Sequence, residues 1–345
     1  MYKNLADKLA ENSVLDRNEY LTLIRNRDSI KEYIAKRACE VRRKHYGDRV
    51  FIRGLIEFTN YCRNDCFYCG IRAGNRNADR YRLSPEEILS CADAGYELGF
   101  RTFVLQGGED PWFTDEIMVD IISNLKDRHP DCAVTLSIGE RSYESYRILR
   151  EAGADRYLLR HETVNPRHYE MLHPGTMKHE NRLQCLRQLK ELGYQTGAGF
   201  MVDSPGQTNE DLADELIFLK ELEPQMVGIG PFIPHKDTPL GNEEPGRAEM
   251  TTFLLSIIRL TLPKVLLPAT TALGTIDPMG REKGIMAGAN VLMPNLSPAG
   301  VRNKYLLYDN KICTGDEAAQ CIECLKARIE KTGCTIVTDR GDYSG

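Results

Sequence analysis

Residues 84–109 read Ser84-Pro85-Glu86-Glu87-Ile88-Leu89-Ser90-Cys91-Ala92-Asp93-Ala94-Gly95-Tyr96-Glu97-Leu98-Gly99-Phe100-Arg101-Thr102-Phe103-Val104-Leu105-Gln106-Gly107-Gly108-Glu109. Ser84, with Glu87 three residues later, is a capping box, and Pro85 has the fixed φ that suits a first helical turn. Helix-period sequence continues to Leu98, and Gly95 and Gly99 stand where a helix would be closed by a glycine cap. Thr102–Leu105 is then a short apolar run of the kind that forms a buried strand. The unit reads helix, glycine, strand, with a glycine pair at the strand's end.

The same unit recurs on both sides. Helices are expected near 115–127, 143–152, 180–192, 209–222, 248–260 and 281–287, and Ala152-Gly153, Leu192-Gly193 and Ala287-Gly288 each precede a strand. Strands are expected at 51–58, 102–105, 133–138, 156–159, 197–202, 226–229, 264–268 and 290–293. Eight strands alternating with helices over about 245 residues fit a parallel α/β barrel of the (β/α)8 TIM type better than an open doubly wound sheet. Ahead of it, Leu5 to Lys44 carries amphipathic helical spacing. The expected organisation is a helical extension over 1–48, the barrel over 49–303, and a small cap over 304–345 with a helix at 316–331.

The chain has 345 residues, 41% apolar, with Lys plus Arg at 45 against Asp plus Glu at 50, a net charge of -5. That composition is globular, and it lacks the basic field that would hold nucleic acid or an anionic membrane. The first thirty residues lack a signal-peptide pattern, and no window approaches 18 uncharged apolar residues. A cytoplasmic chain is the expectation. In a reducing compartment its 11 cysteines point to metal ligation or catalysis rather than disulfides.

Three of them, Cys62, Cys66 and Cys69, fall within eight residues just after the first strand, where barrel enzymes keep their active sites. Three thiolates can hold three irons of a cubane and leave the fourth open to an exogenous ligand; a zinc knuckle is the plainer alternative. The pattern Cys-x3-Cys-x-Tyr-Cys, with Tyr68 at the aromatic position, resembles the signature of radical S-adenosylmethionine enzymes. The resemblance implies a 4Fe-4S cluster whose open iron binds S-adenosylmethionine, an external one-electron reductant, and cleavage of the sulfonium to methionine and a 5′-deoxyadenosyl radical.

It also implies roles by position. Gln106, Gly107, Gly108 and Glu109 look like the turn that receives the methionine amine. Thr135 and Ser137 offer hydroxyls at the third strand. Arg160 and Glu162 end the fourth, Glu162 facing ribose, and Arg182 resembles the arginine that pairs with the cofactor carboxylate. Met226 and Ile229 are candidates for packing adenine. Asp203-Ser204 departs from a Gly-Leu-like pair expected before Pro205-Gly206, which leaves the adenosine-side contact open.

More closely, the segments 157–163, 228–235 and 268–275 resemble the HydE family of FeFe-hydrogenase maturases, which is similar to biotin synthase and 3-methylornithine synthase. The barrel strands lack the cysteines with which biotin synthase holds a second, sacrificial cluster. Cys313-x7-Cys321-x2-Cys324 resembles an accessory cluster site, of 2Fe-2S or 4Fe-4S type, found in some members. The family implies assembly of a dinuclear iron subcluster on a cysteine-bound iron carbonyl cyanide, a small organometallic, amino acid-derived substrate, alongside the maturases HydG and HydF. Arg53, Arg156, Thr270, Thr271, Tyr305 and Tyr308 are the candidate substrate contacts. The alternatives are an amino acid mutase of the 3-methylornithine synthase type and a non-catalytic iron-sulfur carrier.

Overall fold

In the computed structural model, which describes residues 2–312 and 322–344, three helices precede the first strand: α1 (Tyr2–Asn12), α2 (Arg17–Arg25) and α3 (Lys31–Tyr46). The barrel strands are β1 (Arg49–Ile52), β2 (Gly54–Thr59), β3 (Thr102–Gly107), β4 (Ala133–Ser137), β5 (Arg156–Leu158), β6 (Gln195–Ala198), β7 (Met201–Val202), β8 (Met226–Val227), β9 (Gly230–Pro231) and β10 (Val291–Leu292). Between them run α4 (Pro85–Glu97), α5 (Asp115–Arg128), α6 (Tyr143–Glu151), α7 (Pro166–Leu172), α8 (His179–Glu191), α9 (Asn209–Leu222), α10 (Ala248–Thr261), α11 (Thr271–Ile276) and α12 (Gly280–Met286). After β10 come α13 (Ala299–Arg302), α14 (Ile322–Glu330) and a last strand, β11 (Thr335–Val337).

The strands β2-β3-β4-β5-β6-β8 form one parallel sheet, and single bridges carry it round: Met226 to Leu266, Pro268 to Val291, and Asn295 back to Leu55. The sheet thereby closes as the alternating sequence predicts. The expected seventh strand is present only as the bridges at Leu266 and Pro268, and Pro268 removes a donor a full ladder needs. The expected first strand breaks at Arg53: β2 pairs with β3, whereas β1 pairs with β10 and β11.

Local chemistry explains the units. Ser84 caps α4 through the reciprocal bonds with Glu87, and Gly99 takes φ +89° at the helix exit, a conformation that costs glycine little. Gly95 does something else: a Cβ there would lie 2.5 Å from Leu296 Cδ1 and 2.9 Å from Phe103, so its bare backbone lets α4 approach the sheet. α1 to α3 bury Leu9, Leu23, Ile24, Ile34 and Ala38 in the same core as the barrel helices.

Residues 335–343, for which no strand is expected above although Thr335-Ile336-Val337-Thr338 is a β-branched run, cover the barrel's N-terminal end. β11 runs parallel to β1 in the register Arg49–Thr335 to Phe51–Val337. Beyond it, Thr102 donates to the Arg340 carbonyl (2.7 Å), Arg156 donates to Asp342 (2.6 Å), Arg340 pairs with Asp155 (3.0 Å), and Gln195 donates to Asp342 (3.0 Å). Burial raises the Asp342 carboxyl, but Arg340 and Arg156 outweigh it and hold the pKa at about 2. A depressed folded-state pKa stabilises above the unfolded value and is lost as protonation proceeds, so tail docking should weaken between about pH 4 and pH 2. Hydrogen exchange or limited proteolysis should show residues 335–343 released in that window before the barrel strands; simultaneous loss of both would contradict it.

Candidate active site

The cysteine loop leaves the C-terminal end of β2 and is shaped by a few side chains. Asn60 donates through Nδ2 to the carbonyls of Asp79 and Lys304 (both 2.8 Å) and accepts from the Tyr81 N–H (2.8 Å). The Arg80 guanidinium gathers the carbonyls of Asn60, Ile71, Arg72 and Asn75, and Asp65 accepts from Arg72 (2.5 Å) and the Gly74 N–H (2.8 Å). This network holds Cys62, Cys66 and Cys69 around one cavity of about 280 Å³ above the barrel mouth.

The donors there suit an iron-sulfur cluster. The Glu109 N–H points at Cys62 Sγ (3.4 Å), and Met177 Sδ lies 3.7 Å from Cys66 Sγ. Burial pushes all three thiols up, Cys69 to about 12, and Cys66 is raised further by its two neighbours. Three crowded thiols keep their protons until a cation takes the thiolates.

Gln106, Gly107, Gly108, Glu109, Ser137, Arg160, Glu162 and Arg182 line the same cavity as the cysteines. Arg182 pairs with Glu140 (2.8 Å) and lies 3.9 Å from Glu109; burial lowers its pKa, but the two carboxylates more than offset that and hold it fully charged. Glu162 pairs with Arg160 (3.0 Å) and has φ +66°, an uncommon backbone state that turns its carboxylate to the cavity. The Tyr68 ring is edge-on to His173. Burial, with Arg182 nearby, drives His173 down to about 3. The neutral ring donates from Nδ1 to the Tyr169 carbonyl (3.0 Å) and so accepts the Tyr68 hydroxyl at Nε2 (3.3 Å).

Below lies a smaller chamber of about 130 Å³ reached through a shared wall that includes Gln106, Arg160, Thr270 and Tyr308. Arg53, Thr135, Met226 and Thr271 line it, so Thr135 and Met226 sit deeper than an adenosine site at the mouth would place them. Tyr305 is buried in the wall of the upper cavity, its hydroxyl accepting from Gln106 (3.4 Å). Arg53 donates to Met226 Sδ (3.0 Å), while its Nε and Nη2, the Thr135 hydroxyl and Arg160 Nε have no hydrogen-bond partner among the described residues.

Two expectations need correction. Arg156 does not line the lumen: four residues, or about 13 Å, separate it from Arg160 along the strand, and it is consumed by Asp342, Thr102 and the Arg340 carbonyl at the floor. Ile229 is buried in the outer core, whereas Met201, Pro231 and Ile233 supply the apolar wall near the cysteines. The contact left open at Asp203 is a two-pronged pair with Arg247 (2.8 and 3.0 Å). Cys313 and Cys321 lie outside the described residues; Cys324 is on α14.

Sequence reading missed Glu140, His173, Glu57 and Lys311. Glu57 carried a usable signal: Arg53 and Glu57 are the two charges in the apolar run 51–58, at even spacing and therefore on one strand face.

Comparison with known proteins agrees with this geometry. Residues 56–219 match the family model of the radical SAM superfamily. A solved structure of methylornithine synthase (PylB) superposes with a TM-score of 0.84 at 28% identity, covering 96% of this chain and 97% of the other. The chain is a radical S-adenosylmethionine enzyme. It is 51% identical over 308 residues to the FeFe-hydrogenase maturase subunit HydE of Thermotoga maritima, covering 89% of this chain and 88% of that one. The 3-methylornithine synthase of Methanosarcina acetivorans is 30% identical over 87% of this chain and 83% of its own length. The chain belongs to the HydE family of FeFe-hydrogenase maturases.

A Cβ on Gly108 would lie 2.1 Å from the Tyr61 carbonyl oxygen and 2.7 Å from Cys62 Cβ. Gly108→Ala should therefore displace the cysteine loop, cutting iron bound after anaerobic reconstitution to about half or less while far-ultraviolet circular dichroism stays unchanged. Full iron loading would show that the loop tolerates the shift.

Proposed function

We propose that this chain acts on a cysteine-bound iron carbonyl cyanide during assembly of the dinuclear iron subcluster of FeFe-hydrogenase. The observation that carries the reading is the stacking of two connected cavities: three thiols with Glu109 and Arg182 above, and cationic donors that lack acceptors among the described residues below. When bound, a reduced 4Fe-4S cluster and S-adenosylmethionine supply reductive cleavage of the sulfonium to methionine and a 5′-deoxyadenosyl radical.

The chain's own residues do the rest. Cys62, Cys66 and Cys69 hold three irons. The Gly107-Gly108 turn and Arg182 receive the amino acid end of the cofactor, Tyr68 is set against it by neutral His173, and Glu162 meets the ribose. Arg53, Arg160 and Thr135 offer hydrogen-bond donors to an anionic substrate carrying a carboxylate, and Thr270, Thr271, Tyr305 and Tyr308 complete its surroundings. Buried donors without acceptors are costly, which favours an anion that satisfies them. The closed lumen excludes water around a reactive centre. The working partners in this reading are a one-electron reductant and the other maturases HydG and HydF, in the cytoplasm. No helix among the described residues is long and apolar enough to cross a membrane.

Electron paramagnetic resonance of the reduced, anaerobically reconstituted protein, with and without S-adenosylmethionine, tests the upper cavity. The cofactor should perturb the wild-type spectrum, and Cys66→Ala should abolish cleavage without unfolding the barrel, since Cys66 lies outside the core strands; retained cleavage would refute its role. Consumption of the iron carbonyl cyanide with no rearrangement of lysine supports the substrate, and a lysine-derived product would overturn it.

The spacing of Cys313, Cys321 and Cys324 supports an accessory cluster separate from the one on Cys62, Cys66 and Cys69. Cys321→Ala should lower iron per chain while hydrogenase maturation persists in a complementation assay. Complete loss of maturation would contradict an accessory role.

A further inference from the structure

After the last barrel strand, residues 304–312 cross the lumen mouth and side wall. They are tied to loops at separate points: the Lys304 carbonyl accepts from Asn60 (2.8 Å), the Leu307 carbonyl from the Gly70 N–H beside Cys69 (2.8 Å), and the Asp309 N–H donates to the Pro234 carbonyl (3.0 Å). Two side chains tie the segment to barrel strands. Gln106 on β3 reaches the Tyr305 hydroxyl through a long bond (3.4 Å). The short, charged tie is Lys311: its Nζ donates to Glu57 Oε1 on β2 (2.6 Å) and folds back to the Tyr305 carbonyl (2.8 Å). The other Glu57 oxygen accepts from Asn295 (2.8 Å). Side-chain exposure is 6% for Lys311 and 1% for Glu57.

We propose that the Glu57–Lys311 pair is a latch that fastens residues 304–312 to the barrel wall and so positions Tyr305 in the wall of the upper cavity and Tyr308 in the wall that the two cavities share. Two arguments carry it. A buried ion pair is a poor source of stability compared with apolar packing, because desolvation cancels its attraction. What it supplies here is geometry: one ammonium joins a strand, the backbone of the segment and the ring of Tyr305, over which it lies at 4.8 Å. The second argument is location. Glu57 and Lys311 line the same chamber as Arg53 and Arg160, so opening the latch would open the wall of the reaction space and loosen the Leu307 contact to the cysteine loop. Lys311 is a positioning residue on this account, and the account rests on the reading of the lower chamber as the substrate site.

Removing one charge strands the other and could unfold the protein, so the informative variant is Glu57→Gln/Lys311→Met, in which the amide oxygen introduced on β2 would still accept from Asn295. The reconstituted holoenzyme is compared with wild type in two ways. Hydrogen exchange should speed up about tenfold or more in residues 304–312 and stay unchanged in β2 and β3, the mark of local opening. With the iron carbonyl cyanide present, 5′-deoxyadenosine formed per substrate consumed should rise about tenfold, as an open site lets the reaction miscarry. Unchanged exchange in 304–312 overturns the latch, and faster exchange with an unchanged ratio overturns its positioning role. If wild type consumes no substrate, it is the substrate reading that fails, and the exchange comparison alone decides the latch.

Discussion

Charge inside a barrel has to be balanced from somewhere, and two segments that follow the barrel in sequence, 304–312 and 335–343, meet that requirement. The run from β1 into β2, together with β5, brings Arg53, Glu57 and Arg156 inward. The isolated cost of burying such groups is several kcal/mol each. Arg156 is answered from below by Asp342 on the tail, and Glu57 from the side by Lys311. Arg53 is the exception: burial and the nearby Arg156 push its pKa well down, with Asp342 only partly offsetting them. It sits between two neutralised layers, and no carboxylate among the described residues pairs with it. Under the proposed function, an anionic substrate meets the demand left open at Arg53.

The same logic operates at the mouth, where the residues around the cysteines are held by others that never face the cavity. Glu140 restrains Arg182, His173 restrains Tyr68, and Arg80 holds the loop's carbonyls in place. Glycines allow the tightest approaches. A side-chain carbon at Gly139 would overlap Glu109, and one at Gly70 would overlap the Leu306 carbonyl and His235. The cysteine loop is thus packed against the β3 turn on one side and the segment after the barrel on the other, so its geometry depends on elements more than 200 residues away in sequence, as the Asn60–Lys304 bond shows.

These contacts explain what could be read from the chain and what could not. The barrel was legible because its signals are local: the Ser84-Glu87 box, glycine exits and short apolar runs need only neighbouring residues. The cysteine triad and the glycine turn were legible for the same reason. Arg156 was misplaced because alternation gives the face of a strand and not the height along it, and height decided between lumen and floor. The tail's strand was overlooked although Thr335-Ile336-Val337-Thr338 is a β-branched run, because so short a run does not name its partner and pairs only once β1 exists. His173 and Lys311 act across the fold, through partners at sequence distances that no periodicity reports.

The parallel pairing of β11 with β1 also sets an order of events during synthesis. β1 is among the first barrel strands to be made, while β11 follows β10 by roughly forty residues, or several seconds at ~5–20 residues per second. Through that interval the barrel can close by its own bridges with Arg156 still lacking its carboxylate. The order of synthesis thus allows a form open at its base, whose floor is laid after the walls.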